Sequence, residues 1–230
     1  MNVFPGVCLI IPVRDEVAGI DELCAAVLLA RGAGAAVLIV DDASTDGTTE
    51  RLEALRDFGV QIVRTDRSFG FGAAIRAGLD VAPRHGYLAW LPGSMRVHPL
   101  FAVALAHELH RRAVYGTAYV KARRLNRPWR EALPSRAAGV LLSLLGRARF
   151  FEVGGTPTVV PATARGALLL GPDGVEFETE TVRLLRSEGL HMLRLAVPFG
   201  ERRHGHSHWN RGIRSQFGLW CRLVRRVIRG

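Results

Sequence analysis

Cysteine is scarce in this chain. Cys8, Cys24 and Cys221 are the three thiols in 230 residues. Their number is odd and no C-x-x-C spacing occurs, which argues against a disulfide framework or a cysteine zinc site and fits buried thiols in a reducing compartment. No run of about 18 apolar residues is present, so no membrane-spanning helix is expected. The opening "MNVFPGVCLIIPVRDE" lacks a basic stretch ahead of a long apolar run. No signal peptide is therefore expected, and the expected location is cytoplasmic. Carboxylates are also in short supply: 21 Asp and Glu stand against 31 Lys and Arg, a formal charge of +10. That balance favours an anionic partner such as a nucleotide, a lipid phosphate or an acidic membrane surface. Nucleic acid is set aside, because the chain has neither a recognisable binding motif nor a basic surface laced with aromatics. Internal repeats and low-complexity linkers are absent too, so a single domain is expected.

What is present is alternation. Continuous apolar runs at 7–13 ("VCLIIPV"), 35–42 ("AAVLIVDD"), 60–65 ("VQIVRT") and 87–91 ("YLAWL") read as strands buried on both faces. Helical patterns fill the intervals at 22–30, 48–58, 73–81 and 100–112. Strand and helix alternating in this way predict an α/β fold with a mostly parallel sheet flanked by helices. Ligands on such sheets bind beyond the carboxyl ends of the strands. Those ends read "PVRDE", "DDASTDGT", "TDRSFGFG" and "PGSMR". After residue 115 the spacing predicts a strand running into a basic band, an apolar helix over 135–151, a helix over 177–187, a strand over 191–199 and a closing basic helix.

Asp41 and Asp42 are adjacent at the end of a buried strand. Neighbouring carboxylates raise one another's pKa unless a ligand or cation engages them, and either can accept hydrogen bonds from a base or ribose. Asp46 or Thr45 reads as a cap for the next helix, and a purely structural role for all three aspartates is the alternative. "GFGAAI" loosely matches a dinucleotide fingerprint, but its glycines do not follow the first strand as such a site requires.

Taken together, "LIIPVRDE", "VLIVDDASTDGT" and "RSFGFGAAIRAGL" resemble, in order and spacing, the donor-binding half of family-two glycosyltransferases with the GT-A fold. The branch most alike is that of dolichyl- or undecaprenyl-phosphate sugar transferases. The resemblance implies a GT-A-like, Rossmann-like single domain. Residues 1–112 would bind the nucleotide sugar, a UDP- or GDP-sugar; residues 113–210 would bind the acceptor; 211–230 would form a basic amphipathic helix. It implies that Pro12, Arg14 and Glu16 surround the nucleoside, that Asp42 meets the base with Asp41 in support, and that the helix carrying Arg76 lies beneath the donor. In that family the fourth strand ends in D-x-D or "PGD", and the last aspartate binds a divalent cation. Here "LPGSMRVHP" puts Pro92 and Ser94 at those positions. A serine hydroxyl is a weak ligand for Mg²⁺ or Mn²⁺. Three readings stay open: Arg96 or His98 replaces the ion's charge, the ion binds weakly through Asp42 and the donor phosphates, or the chain is a weak or inactive nucleotide-sugar-binding relative.

In the later half, Arg124, Arg127 and Ser135-Arg136 match the family's R-x-x-R followed by S-R, although Pro128 and Trp129 stand where an acidic residue is usual. Together with Lys121, Arg123 and Arg130 they read either as a solvated basic face or as a site for a phosphate-bearing acceptor. The resemblance gives Arg124, Glu152 and Arg202 catalytic places, with Glu152 a base for a hydroxyl acceptor or a partner for the arginines. "ERRHGHSHW" resembles the loop R-x-x-G-x-S-K that closes over the donor diphosphate. Arg202, Gly205 and Ser207 match, and His208 replaces the lysine. Glu178 and Glu180 suit the start of a helix on dipole grounds. The expected activity is inverting transfer to a polyprenyl phosphate, with membrane-surface attachment through the closing helix and the apolar 140–145 face.

Overall fold

The computed structural model describes residues 3–126, 139–140, 143–144, 154–201 and 204. β1 (Val7–Val13) is buried along its whole length, and its pleat sorts two apolar layers. Val7, Leu9, Ile11 and Val13 face one layer, shared with α1 (Ile20–Gly32), α2 (Thr48–Glu53) and α4 (Leu100–Arg111). Cys8 and Ile10 face the other, shared with α3 (Phe71–Val81) and α6 (Phe177–Ser187). Burying each Leu or Ile side chain contributes about 1.5–3 kcal/mol. The strand with apolar residues at successive positions is therefore the one drawn to the centre.

The main sheet runs in the order β3-β2-β1-β4-β7-β5-β8. β2 (Ala36–Asp41), β3 (Gln61–Arg64) and β4 (Tyr87–Trp90) continue β1 in parallel. β7 (Thr158–Pro161) lies antiparallel between β4 and β5 (Ala118–Lys121), and β8 (His191–Leu193) is parallel to β5. A short turn of helix, α5 (Arg165–Leu168), follows β7. β2 and β3 build to one side of β1 and β4 to the other. The chain reverses its winding there, which opens a crevice beyond the carboxyl ends.

Two expectations need correction. The segment 191–199 is not one strand. β8 ends at Leu193, and β9 (Ala196–Pro198) pairs instead with β6 (Arg123–Leu125) in a separate two-stranded ribbon. β5 gives way to β6 at the same level, and the Arg123 N–H donates to the Leu195 carbonyl at 2.8 Å, so both chains leave the main sheet together. The helix foreseen over 48–58 is α-helical only to Glu53 and tightens into a 3₁₀ turn over Ala54–Phe58. Gly59, at φ 73°, then closes it in the left-handed region. No helix among the described residues is long and apolar enough to cross a membrane.

Candidate functional site

The loops leaving β1 and β2 are laced together by side-chain oxygens. Asp15 and Ala43 sit there at positive φ, 50° and 56°, a conformation L-residues hold only when their surroundings fix it. The Asp15 carboxylate accepts the Thr45 N–H at 2.8 Å, and the Asp15 N–H donates to Ser44 Oγ at 3.0 Å. The Glu16 N–H donates to Thr48 Oγ1 at 2.9 Å. Asp46 accepts from Val17 N–H at 3.1 Å and from Thr48 N–H at 3.0 Å. Burial pushes the Asp46 carboxyl up, but the hydrogen bonds from Thr48 and Val17 outweigh it and hold the group below the usual 3.8. Asp46 therefore works in the turn.

Asp41 and Asp42 part company. Successive residues of an extended chain leave on opposite faces. Asp41, fully buried, turns toward α2, where it accepts the Ser44 N–H at 2.9 Å and the Thr49 hydroxyl. Asp42 turns toward α3. One of its oxygens accepts the Phe69 N–H at 3.0 Å; the other accepts Ser68 Oγ–H at 2.7 Å and Gly70 N–H at 3.2 Å. The anticipated clash of adjacent carboxylates is thus met by two separate sets of donors. Gly70, at φ 105°, gives the backbone the turn that aims these N–H groups at Asp42. Ser68 also accepts from the exposed Arg14 guanidinium. A single hydroxyl therefore joins the tip of β1 to Asp42 and the start of α3.

The turn after β4 packs hard on β1. The Gly93 N–H donates to the Pro12 carbonyl at 3.0 Å, and a Cβ on Gly93 would lie 2.6 Å from Val13 Cγ1. That approach accounts for the glycine at position 93. Ser94 lines a small cleft with Glu16, Gly19, Glu22, Met95, Glu201 and His204. Among the described residues, no three His, Cys, Asp or Glu side chains come together to hold a metal ion. The neutral Ser94 hydroxyl offers little to a hard cation. The Ser94 hydroxyl does not replace the aspartate of that position, and among the described residues the Glu16, Glu22, Glu201 and His204 side chains that line the cleft do not converge on one three-ligand site. His98 is engaged at the start of α4, where its Nδ1 accepts the Leu100 N–H at 3.2 Å. Arg96 reaches the other way. Its Nε donates to the Gly200 carbonyl at 3.0 Å, and its guanidinium lies 4.2 Å from the centre of the Phe199 ring. The Arg124 guanidinium lies 4.9 Å from the same ring centre.

Lys121, read from the sequence as part of either a solvated basic face or a phosphate-acceptor site, is instead buried. It is 2% exposed and paired with the buried Glu178, which also accepts the Trp90 Nε1–H at 2.9 Å. Burial pulls the Lys121 pKa down while the Glu178 carboxylate opposes the fall. Glu178 thus does more than face a helix dipole, and Glu180 pairs with Arg183. Sequence reasoning missed this triad because its members lie on β4, β5 and α6. The one available signal was a lysine ending an otherwise apolar strand. Arg76 pairs with Asp173 and ties α3 to the turn before α6. Arg127, Arg136, Glu152, Arg202, Ser207 and His208 lie outside the described residues, as do most of the 135–151 helix and all of 211–230.

Residues 8–150 match the family model described as Glycosyl transferase family 2. The fold is similar to a crystal structure of glucosyl-3-phosphoglycerate synthase from Mycobacterium tuberculosis in complex with Mn²⁺, uridine diphosphate and glucosyl-3-phosphoglycerate. The TM-score is 0.66 at 19% identity, over 97% of this chain and 78% of that one. A complex of the same enzyme with Mn²⁺, UDP-glucose and phosphoglyceric acid gives 0.67 at 19%, over 97% and 78%. A crystal structure described as a mycobacterial protein gives 0.67 at 20%, over 97% and 74%. No curated protein matches the chain by sequence.

Proposed function

This chain belongs to glycosyl transferase family 2, and we propose that it is an inverting transferase that moves a sugar from a UDP- or GDP-sugar to the phosphate of a polyprenyl phosphate. The observation that carries the reading is the junction at the sheet's carboxyl edge. There the tip of β1, Asp42 and the start of α3 are bound into one surface by Ser68. In this reading the base rests against Pro12, Arg14, Glu16 and the loop that Asp42 orders, with Asp41 fixing the loop behind. The donor phosphates run toward Ser94 and Arg96.

The chemistry needs little from a base. A phosphate monoester is mostly ionised near neutrality, since its second pKa is about 6. One of its oxygens attacks the anomeric carbon as the bond from that carbon to the donor's β-phosphate oxygen breaks. The nucleoside diphosphate leaves with the bonding electrons, and no proton has to move. The protein's share is alignment and screening of negative charge. Arginines suit that work because a guanidinium keeps its charge and presents a planar fork to phosphate oxygens.

The exposed Val140 and Leu144, 61% and 77% accessible, support a lipid acceptor. A small phosphorylated acid is the second reading, favoured by neighbours solved with phosphoglyceric acid. Incubation of the chain with UDP- and GDP-sugars and either undecaprenyl phosphate or phosphoglyceric acid, with EDTA or Mn²⁺, tests both. Transfer to the lipid phosphate is the expected result. Transfer to the acid alone replaces it with the second reading. Nucleotide binding without transfer to either acceptor would leave a binding protein.

A further inference from the structure

The two adjacent carboxylates differ in what they have left to give. Asp41 is wholly buried, whereas Asp42, 6% exposed, is the one that a ligand's edge can meet from the crevice. A carboxylate has about four lone-pair positions, two on each oxygen. On Asp42 Oδ2 both are taken, by the Ser68 Oγ–H at 2.7 Å and the Gly70 N–H at 3.2 Å. Oδ1 takes the Phe69 N–H at 3.0 Å. Its second position is held only loosely. The Thr65 hydroxyl reaches it at 3.4 Å, and the same hydroxyl lies 3.4 Å from the Asp41 carbonyl. One proton cannot serve both oxygens at once, and hydrogen bonds of that length are weak. The Asp41 carbonyl also accepts the Thr65 N–H at 3.0 Å, so the Thr65 backbone stays in place whichever way its hydroxyl turns. Asp42 therefore offers an incoming molecule one acceptor position, on Oδ1.

We infer that Ser68 and Thr65 set the base specificity of this site, and that the donor nucleotide carries uracil. The inference rests on the transferase reading, which leaves uracil and guanine open. Uracil presents a single donor, N3–H, between two carbonyls. Guanine presents two donors side by side, N1–H and an N2–H, which a carboxylate receives with both oxygens. Here Oδ2 is full. A guanine paired with Oδ1 alone leaves its second donor facing the donors of Ser68 and Gly70, and a desolvated donor without an acceptor weakens binding. The carbonyls beside N3–H suit this flank as well, because the Arg14 guanidinium already donates to the Ser68 hydroxyl. When the base enters, N3–H takes the open position on Oδ1 and the Thr65 hydroxyl turns to the Asp41 carbonyl. Ser68 thus closes one oxygen of Asp42, and Thr65 yields the other.

Calorimetric titration of the full chain with UDP and with GDP tests this. The two share ribose and diphosphate, so the ratio of their affinities reads the base alone. Wild type is expected to bind UDP about tenfold more tightly or better, the scale of one hydrogen bond to a charged group. Ser68→Ala opens a second acceptor position, on Oδ2, and Ser68→Gly opens the same one should the alanine variant not fold. Either change releases Arg14 for both nucleotides alike. The UDP-to-GDP ratio is nevertheless expected to fall several-fold, a shift that a merely structural loss does not produce. Thr65→Val removes the competing hydroxyl and is expected to keep the preference for UDP. GDP bound as tightly as UDP by wild type, a ratio unchanged by Ser68→Ala, or loss of the preference in Thr65→Val would overturn the inference and leave the transferase reading standing. Wild type that binds neither nucleotide would retire that reading, and the base assignment with it.

Discussion

The two flanks of the cleft are held by different forces. On the β2–β3 flank, short carboxylates bond backbone N–H groups. Asp15, Asp41, Asp42 and Asp46 each take donors from loops that begin or end within a few residues of a strand tip. On the β4–β5 flank, long basic side chains meet partners far along the chain. Lys121 pairs with Glu178, 57 residues on, and Arg96 reaches Gly200, 104 residues on. The first flank fixes backbone shape and the second fixes where positive charge stands. In the proposed transferase, the first flank would seat the neutral base and the second the anionic diphosphate.

Breaking the second flank at its buried pair is expected to have the largest effect. Lys121→Met leaves the Glu178 carboxylate without its cation in the interior, and removing one partner of such a pair costs about 3–5 kcal/mol. Urea unfolding measures it. The double variant Lys121→Met/Glu178→Leu is expected to recover most of the loss, because an apolar replacement of a whole buried pair is often neutral or stabilising. A double variant as unstable as the single one would show that the pair is not the source. On the first flank, Asp42→Ala frees the Ser68, Phe69 and Gly70 donors. Hydrogen bonds to a charged group are each worth about 1.5–3 kcal/mol, so nucleotide affinity is expected to fall by two orders of magnitude or more. Unchanged affinity by calorimetry would take Asp42 out of the site.

Ser94→Asp sharpens the contrast between the flanks. It restores a carboxylate at the β4 turn, and stimulation by Mn²⁺ in a metal titration is expected to rise. An unaltered titration would separate Ser94 from the position the family uses for its ion. The smallest effect belongs to Asp46→Asn, which keeps an acceptor oxygen for the Val17 and Thr48 N–H groups and removes only the charge. The Asp46 pKa is depressed on folding. Its contribution is therefore present above the usual 3.8 and lost as pH falls through the lower, folded value. The gap between wild type and Asp46→Asn in thermal melts should accordingly close in acid and persist at neutral pH.

Much of the first flank was legible in the sequence, because its determinants are local. The runs 7–13 and 35–42 announce strands, and "DDASTDGT" announces a turn into a helix. What local reasoning could not give was the divergence of Asp41 and Asp42. Adjacency reads as a shared site, yet the pleat sends the two to opposite faces. The second flank was largely illegible. Lys121 read as one member of a basic band until β5 placed it inside, and nothing near Phe199 marks it as a meeting point for Arg96 and Arg124. The break between β8 and β9 escaped for a related reason. "HMLRLAVPF" alternates well enough for one strand, and only the departure of β6 from the main sheet divides it.

The crystal structure of the chain soaked with UDP and with GDP tests the site most directly. The expected result is a base seated between Arg14 and the loop that Asp42 holds, with the diphosphate directed toward Ser94 and Arg96. A nucleotide bound away from the carboxyl ends of β1 and β2, or one whose phosphates point toward residues 44–48, would contradict it.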